Sequence, residues 1–316
     1  MKKLRVIVMG TTDFAVPALD ALIQAGHEVA AVVAQPDRPN RRGKKISFLP
    51  MKKRALELDI PVLQPENIKT PEAVETLKAY QADVFVVAAY GQILSEAILT
   101  IPPMGAVNIH GSLLPEYRGA APVHRAILDG KTVSGVTIMQ MDVGMDTGDM
   151  LSKAEVPIDD TTTAGELYDL LAQTGADLLI KTLEGLCEGT VSPQKQDDAL
   201  ASYADKIDKT EGCIDWQQPS VQVIRQINGT DPFPSAYTLL KGEKIKCFHP
   251  VHADWQGEET PGTILQADAK QGLVVKTADG AVAIGEIQAP GKKRMATAVY
   301  LRGNVLPVGD VFEKEI

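Results

Sequence analysis

Short, almost unbroken apolar runs separated by amphipathic stretches constrain this chain more than any other feature. Residues 4–9 read LRVIVM and end at Gly10, residues 17–25 are amphipathic, and residues 27–34 read HEVAAVVA. The alternation continues with a helical stretch at 54–58, a short strand at 60–63 and a helix at 71–80 that opens on Pro71. Strands follow at 83–89, 106–109 and 135–141. Strands buried on both faces read as continuous apolar runs, and alternation with helices gives a crossover between parallel neighbours. The expected fold is therefore α/β, a doubly wound and mostly parallel sheet. Hydrophobic residues are 44% of the 316 and aromatics only 5%, so the core must be aliphatic. Leu167, Leu170, Leu171, Leu178, Leu179, Leu183 and Leu186 recur at helical spacing and predict a core-facing helix over 163–187.

Polar text from 188 to 208 reads as a linker. Beyond it the runs at 244–249, 262–265, 273–277, 281–284 and 305–311 are short and broken by Gly, Pro and Asp. Such texture predicts a small barrel like those that bind oligonucleotides. The expected division is 1–189, a linker at 190–208, and a barrel domain at 209–316.

Several classes are excluded. Cys187, Cys213 and Cys247 are scattered, with no CxxC pair, which fits a reducing cytosol and neither a disulfide framework nor a zinc ribbon. The apolar run after Met-Lys-Lys-Leu-Arg is too short for a signal peptide, and no stretch approaches the roughly 20 apolar residues of a membrane span. A dinucleotide fingerprint needs glycines two and five places after Gly10, where Thr12 and Ala15 stand. His124, His249 and His252 lack metal-ligand spacing, so no metal is expected. The net charge of −9 weighs against nucleic acid as a whole. Yet Arg38, Arg41, Arg42, Lys44, Lys45, Lys52, Lys53 and Arg54 share a segment with no acidic residue, which is either a solvated loop or a phosphate footprint.

The chemistry concentrates at 107–125, VNIHGSLLPEYRGAAPVHR. Asn108 and His110 are two apart on an apolar strand, so they share a face. Gly111 and Ser112 then turn the chain at the strand's C-terminal end, where open α/β sheets bind ligands. A second loop, Met141 to Asp149, carries Asp142, Asp146 and Asp149 to the same edge. An Asn amide can donate to an oxyanion, a His can move a proton near neutral pH, and an Asp such as Asp146 can fix the imidazole tautomer or take a proton through water. Ser112 lacks nucleophile-elbow surroundings, so acyl transfer without a covalent intermediate is the expected reaction.

The runs 108–115 and 117–122, with the 142–149 loop at its expected distance, resemble the two signatures of folate-dependent formyltransferases. The likeness extends to the Gly10 opening, the AAYGQIL segment at 88–94 and the two-domain layout. It implies that Asn108, His110 and Asp146 are catalytic. It further implies that Ser112, Leu113, Leu114 and Pro115 contact the folate, and that the backbone at 88–93 and the Asp142 loop wall the pterin pocket. The donor so implied is 10-formyltetrahydrofolate, with Asn108 and His110 stabilising the oxyanion and Asp146 holding His110.

Within the family, the RGAAPVHRAI run at 118–127 and the basic insertion at 36–54 resemble the members that act on tRNA. The acceptor so implied is the α-amino group of methionine on initiator methionyl-tRNA, with Arg38, Arg41, Arg42, Lys44 and Lys45 as tRNA contacts and a monomer as the acting species. The barrel's charge argues less for this: residues 190–316 hold 14 basic and 17 acidic residues, a net of −3. Only Lys241, Lys244, Lys246 and Lys292, Lys293, Arg294 could form a positive face. A sugar-nucleotide N-formyltransferase is the alternative enzyme, and a folate- or RNA-binding module with a degenerate site is the non-enzyme alternative. Phe14, near the first turn, is a candidate for the methionine pocket or a core residue.

Overall fold

A computed structural model describes residues 2–38 and 48–314. The chain forms β1 (Arg5–Gly10), α1 (Val16–Gln24), β2 (Glu28–Val33), α2 (Pro50–Glu57), β3 (Val62–Leu63), α3 (Pro71–Ala79), β4 (Val84–Ala88), α4 (Glu96–Leu99) and β5 (Ala106–His110). There follow β6 (Arg118–Gly119), α5 (Pro122–Leu128), β7 (Val133–Gln140), β8 (Met150–Pro157), α6 (Ala164–Glu188) and β9 (Tyr203–Ala204). Helix α7 (Ser220–Gly229) precedes β10 (Tyr237–Leu240), β11 (Glu243–Ala253), β12 (Ile264–Asp268), β13 (Gly272–Lys276), β14 (Ala281–Gln288), β15 (Met295–Ala296) and α8 (Thr297–Tyr300).

The first sheet runs β3-β2-β1-β4-β5-β7-β8. Pairs from β3 to β5 are parallel and β5–β7 is antiparallel. The order reverses between β1 and β4, so their C-terminal ends, Gly10 and Ala88, open a crevice at the switch point. Gly10 is required there: a Cβ would lie 2.4 Å from Ala15 Cβ and 3.0 Å from the Ala88 carbonyl. One face of the sheet is a largely aliphatic core, with Ile7, Met9, Ala31, Val33, Val87 and Ala106 around the Phe85 ring. Burying a side chain such as Phe85 contributes about 1.5–3 kcal/mol.

Two sequence expectations change in this unit. Helix α2 begins at Pro50, earlier than the 54–58 stretch, because Pro suits a first helical turn. Leu170 on α6 is 48% exposed while Leu167, Leu171, Leu179 and Leu183 are fully buried. A helix covering one sheet face has an outer side, and Leu170 falls on it. Gly175 allows the close approach: a Cβ would meet Ile109 Cγ2 at 2.6 Å and Val136 Cγ1 at 3.2 Å.

The second sheet is antiparallel, ordered β10-β11-β14-β13-β12 with β15 on β14. Its two edge strands are both bridged by the C-terminal segment, Leu239 with Glu313 and Thr263 with Val311. Edge groups that would otherwise stand open are thereby paired, and the sheet is the barrel-like unit expected. Val223 and Ile227 of α7 pack into its core with Ile245, Val275, Ile284 and Phe312. The run 305–311 is not a strand. Val305 and Val308 are exposed, and only Val311 bridges.

The chain folds as two compact units. One comprises Met1–Gly119, Ser134–Val156 and Tyr168–Ala204, and the other Ala120–Val133, Pro157–Leu167 and Asp205–Ile316. The units are not separated by a single cut. The polar stretch read as a linker is divided between them: up to Ala204 it is stitched to the first unit, where Gln194 bridges Met150 and β9 pairs with β6, and from Asp205 it belongs to the second.

Candidate active site

The face that carries the aliphatic core changes character at its end. Val87 of β4 pairs with Asn108 of β5, and His110 closes that strand opposite Thr137 of β7. Asn108 and His110 have the parity of Ala106, so they continue the core face into the crevice at 9% and 6% exposure. Among the described residues, no hydrogen-bond partner holds the Asn108 amide.

The His110 ring is held at Nε2, 3.0 Å from the Tyr117 carbonyl. A carbonyl only accepts, so Nε2 carries the hydrogen in the neutral ring and Nδ1 is bare. Nδ1 faces Asp146 Oδ1 across 3.7 Å, a distance beyond a hydrogen bond. The carbonyl, not Asp146, therefore sets the tautomer. Asp146 Oδ2 accepts from the Gly119 amide at 2.8 Å. Both Tyr117 and Asp146 have positive φ, 58° and 55°, which non-glycine residues adopt only where their surroundings impose it.

The Ser112–Pro115 loop is tied down from β7. The Thr137 hydroxyl donates to the Ser112 carbonyl at 2.7 Å and accepts from the Leu114 amide at 3.0 Å. The Ser112 hydroxyl donates to the Glu116 carbonyl at 2.6 Å, and Lys153 donates to the Leu114 carbonyl. Burial pushes the Lys153 ammonium below its ordinary range. The Leu114 side chain is fully buried with Met139 and Met150, so this residue can offer a ligand only its backbone. Leu113 and Pro115 are half-buried.

A cavity of about 170 Å³ lies between residues 92–94 and the Asp142 loop, with Met139 and Asp146 in its wall. Ile93, Val143 and Met145 on its walls are 66%, 66% and 62% exposed. Apolar side chains left open around a polar-edged cavity suit a flat heterocycle.

The model of the family described as "Formyl transferase" matches residues 2–183, and that of "Formyl transferase, C-terminal domain" matches residues 206–305. This chain belongs to the formyl transferase family. The methionyl-tRNA formyltransferase of Acetivibrio thermocellus is 47% identical over 309 residues, covering 98% of this chain and 99% of that protein. The methionyl-tRNA formyltransferase of Thiobacillus denitrificans is 48% identical over 308 residues, covering 97% and 98%. Among solved structures, HypX from Aquifex aeolicus in complex with tetrahydrofolic acid superimposes with TM-score 0.67 at 18% identity, over 95% of this chain and 47% of that one. An N-formyltransferase from Helicobacter canadensis with folinic acid and dTDP-3-aminofucose gives 0.61 at 18%, over 93% and 100%. At such identities the likeness is one of fold.

The basic residues of this formyl transferase divide unevenly. Arg41, Arg42, Lys44 and Lys45 lie outside the described residues, and Arg38 is exposed. Lys52 pairs with Asp37, and Arg54 pairs with Asp20 at 2.8 Å and Glu57 at 3.2 Å. Among the described residues of that segment, Lys52 and Arg54 are thus answered by carboxylates. In the barrel, Lys241 pairs with Asp310 at 2.7 Å, and Arg294 with Asp231 at 3.0 Å and Glu286 at 2.5 Å. Lys244 and Lys246 line a cleft of about 450 Å³ with Lys209, Phe233 and Tyr237. Lys244 Nζ sits 3.5 Å from the Tyr237 ring centroid, and Phe233 is 55% exposed.

Phe14 is 5% exposed, with its ring centroid 5.1 Å from that of Tyr168. That is core packing, the plainer of its two sequence readings. Thr137, the Tyr117 carbonyl, the Gly119 amide and Lys153 were not legible as site groups. Main-chain atoms leave no pattern in sequence, and Thr137 sits within an apolar strand run.

Proposed function

We propose that this chain transfers the formyl group of 10-formyltetrahydrofolate to the α-amino group of methionine on initiator methionyl-tRNA, supporting translation initiation. The observation that carries the proposal is identity of 46–48% along nearly the whole chain, both domains included, to proteins named methionyl-tRNA formyltransferase. The sugar-nucleotide reading rests on neighbours alike in fold alone and is set aside.

The donor's pterin would enter the cavity beside residues 92–94 and the Asp142 loop, with the backbone of Ser112, Leu113, Leu114 and Pro115 alongside it. The acceptor amine has an ordinary pKa of about 7.7–8.0, so an appreciable fraction is neutral at pH 7 and needs no strong base. Its attack makes the formyl carbon tetrahedral and places charge on oxygen. The unpartnered Asn108 amide supplies a donor for that oxyanion. The amine then sheds a proton. Nδ1 of His110 is bare and can take it, with Asp146 facing the imidazolium so formed. Apo distances such as the one between them commonly tighten in the reacting complex. As the oxyanion closes back to a carbonyl, the bond from the formyl carbon to N10 breaks, N10 takes up a proton and tetrahydrofolate leaves. This role for His110 differs from the oxyanion role first expected, because the Tyr117 carbonyl occupies its Nε2.

The lysine-lined cleft with exposed Phe233 supports the tRNA reading for the barrel, since cations that track phosphates beside an aromatic that stacks a base are what single strands need. Arg38, Arg41, Arg42, Lys44 and Lys45 are the proposed contacts in the basic insertion. The acting species proposed is a cytosolic monomer. The deciding experiment supplies 10-formyltetrahydrofolate with charged initiator tRNA and, separately, with an amino-sugar nucleotide. Formylation of the tRNA alone supports the proposal, and formylation of the sugar alone overturns it.

A further inference from the structure

The stretch 190–208 reads as a linker, yet one of its side chains reaches the candidate site. Gln196 is 9% exposed, and its amide makes four hydrogen bonds. Its Oε1 accepts from Arg118 Nε at 3.0 Å and Nη2 at 2.8 Å. Its Nε2 donates to the main-chain carbonyls of Asp146 at 2.8 Å and Gly148 at 2.7 Å. The orientation is chemically forced. A guanidinium only donates and a carbonyl only accepts, so the amide cannot be reversed, and its full capacity is used. Arg118 is 2% exposed and also donates to Asp198 at 2.8 Å.

We propose that Gln196, oriented by Arg118, is a positioning residue that holds Asp146 in register with His110. The proposal rests on the reading of His110 and Asp146 given above. Asp146 keeps a left-handed backbone with φ 55°, and the turn is tight: a Cβ on Gly148 would stand 1.7 Å from the Gln140 carbonyl. Two grips act on Asp146. Gln196 holds its carbonyl, and the Gly119 amide holds its carboxylate at 2.8 Å. The two grips share one support, because Gly119 follows Arg118 in the chain, and both pair with β9 through Tyr203 and Ala204. No side chain fits at Gly119 on the β9 side, where a Cβ would lie 2.8 Å from the Ala204 carbonyl. Loosening Gln196 frees the Asp146 backbone and lets its carboxylate swing from the imidazole.

The test uses the full-length enzyme with Gln196→Glu and Gln196→Leu. Gln196→Glu keeps an acceptor for Arg118 but loses both donors and turns an oxygen toward two carbonyls. Gln196→Leu removes every bond and can fail to fold, so the Glu variant decides. The result expected is a fall in kcat of up to about 10²-fold, the scale of a 1 Å misplacement of an active-site group. KM for folate and for methionyl-tRNA should hold, the melting temperature of Gln196→Glu should stay within a few degrees, and the kcat–pH profile should change. Unchanged kcat and pH profile in Gln196→Glu overturns the proposal. So does a loss of kcat that tracks a loss of melting temperature, which marks a structural contact only. His110→Ala is run beside them. If it keeps full turnover, the site reading falls and this proposal with it; if it is inactive while Gln196→Glu is normal, only the positioning role falls.

Discussion

His110 and Tyr117 are joined by a 3.0 Å hydrogen bond from ring Nε2 to main-chain carbonyl, which leaves Nδ1 as the bare nitrogen facing Asp146. Replacing Asn108 by alanine removes the oxyanion donor and is expected to lower kcat by about 10²–10³-fold. His110→Ala and Asp146→Ala are expected to lower kcat by orders of magnitude, with tRNA affinity nearly intact. Steady-state kinetics paired with a tRNA-binding titration measure both. Normal turnover in His110→Ala would remove the basis of the assignment.

Thr137 ties the Ser112 carbonyl to the Leu114 amide. In Thr137→Val the Leu114 amide loses its partner, at a cost of about 1–3 kcal/mol for a buried unsatisfied group. The expected outcome is a raised KM for 10-formyltetrahydrofolate and faster amide exchange across Ser112–Pro115, which a bound folate analogue should suppress. Exchange protection confined to the Gly10 turn would instead point to a ligand at the β1 end of the crevice.

The basic insertion is tested through salt. Phosphate contacts release counterions, so affinity should fall steeply as salt rises. Changing Arg41, Arg42, Lys44 and Lys45 together to alanine should raise KM for methionyl-tRNA and flatten its salt dependence, leaving folate binding unchanged. Superimposable curves for the two proteins would make the insertion a solvated surface. Lys53→Ala serves as a control, since it sits exposed on α2 outside the proposed contacts.

His27 gives a stability prediction. Its Nδ1 accepts from the Leu4 amide at 3.2 Å, its Nε2 is buried with no partner among the described residues, and burial lowers its pKa from 6.5. The folded state thus resists protonation that the unfolded chain accepts. The contribution of the neutral ring is full above pH 6.5 and is lost as pH falls through the lowered value. His27→Asn, which can still accept from Leu4, should show a flatter fall of melting temperature between about pH 7 and pH 5 than the parent. Parallel slopes in thermal melts would count against this account.

Periodicity was enough for β1 through β5 and for α6, because strands buried on both faces and a long amphipathic helix write their burial directly into residue order. It missed α7, whose buried face meets a barrel core assembled from strands distant in sequence. It made a strand of 305–311, where Val305 and Val308 are apolar but exposed.

What the sequence alone determined is the parity of Asn108 and His110, the loop that bears Asp146, and the family those motifs resemble. Alternation and turn chemistry are local, so they survive without a fold. What only the tertiary structure decided is which group each side chain meets. The Tyr117 carbonyl took His110 Nε2, Leu114 turned inward, Arg54 was neutralised by Asp20, and Gln196 came from a polar stretch to hold Asp146. These are hydrogen bonds, ion pairs and packing between residues up to 50 positions apart, several made by main-chain atoms. Their geometry exists only once the sheet has set its strands side by side.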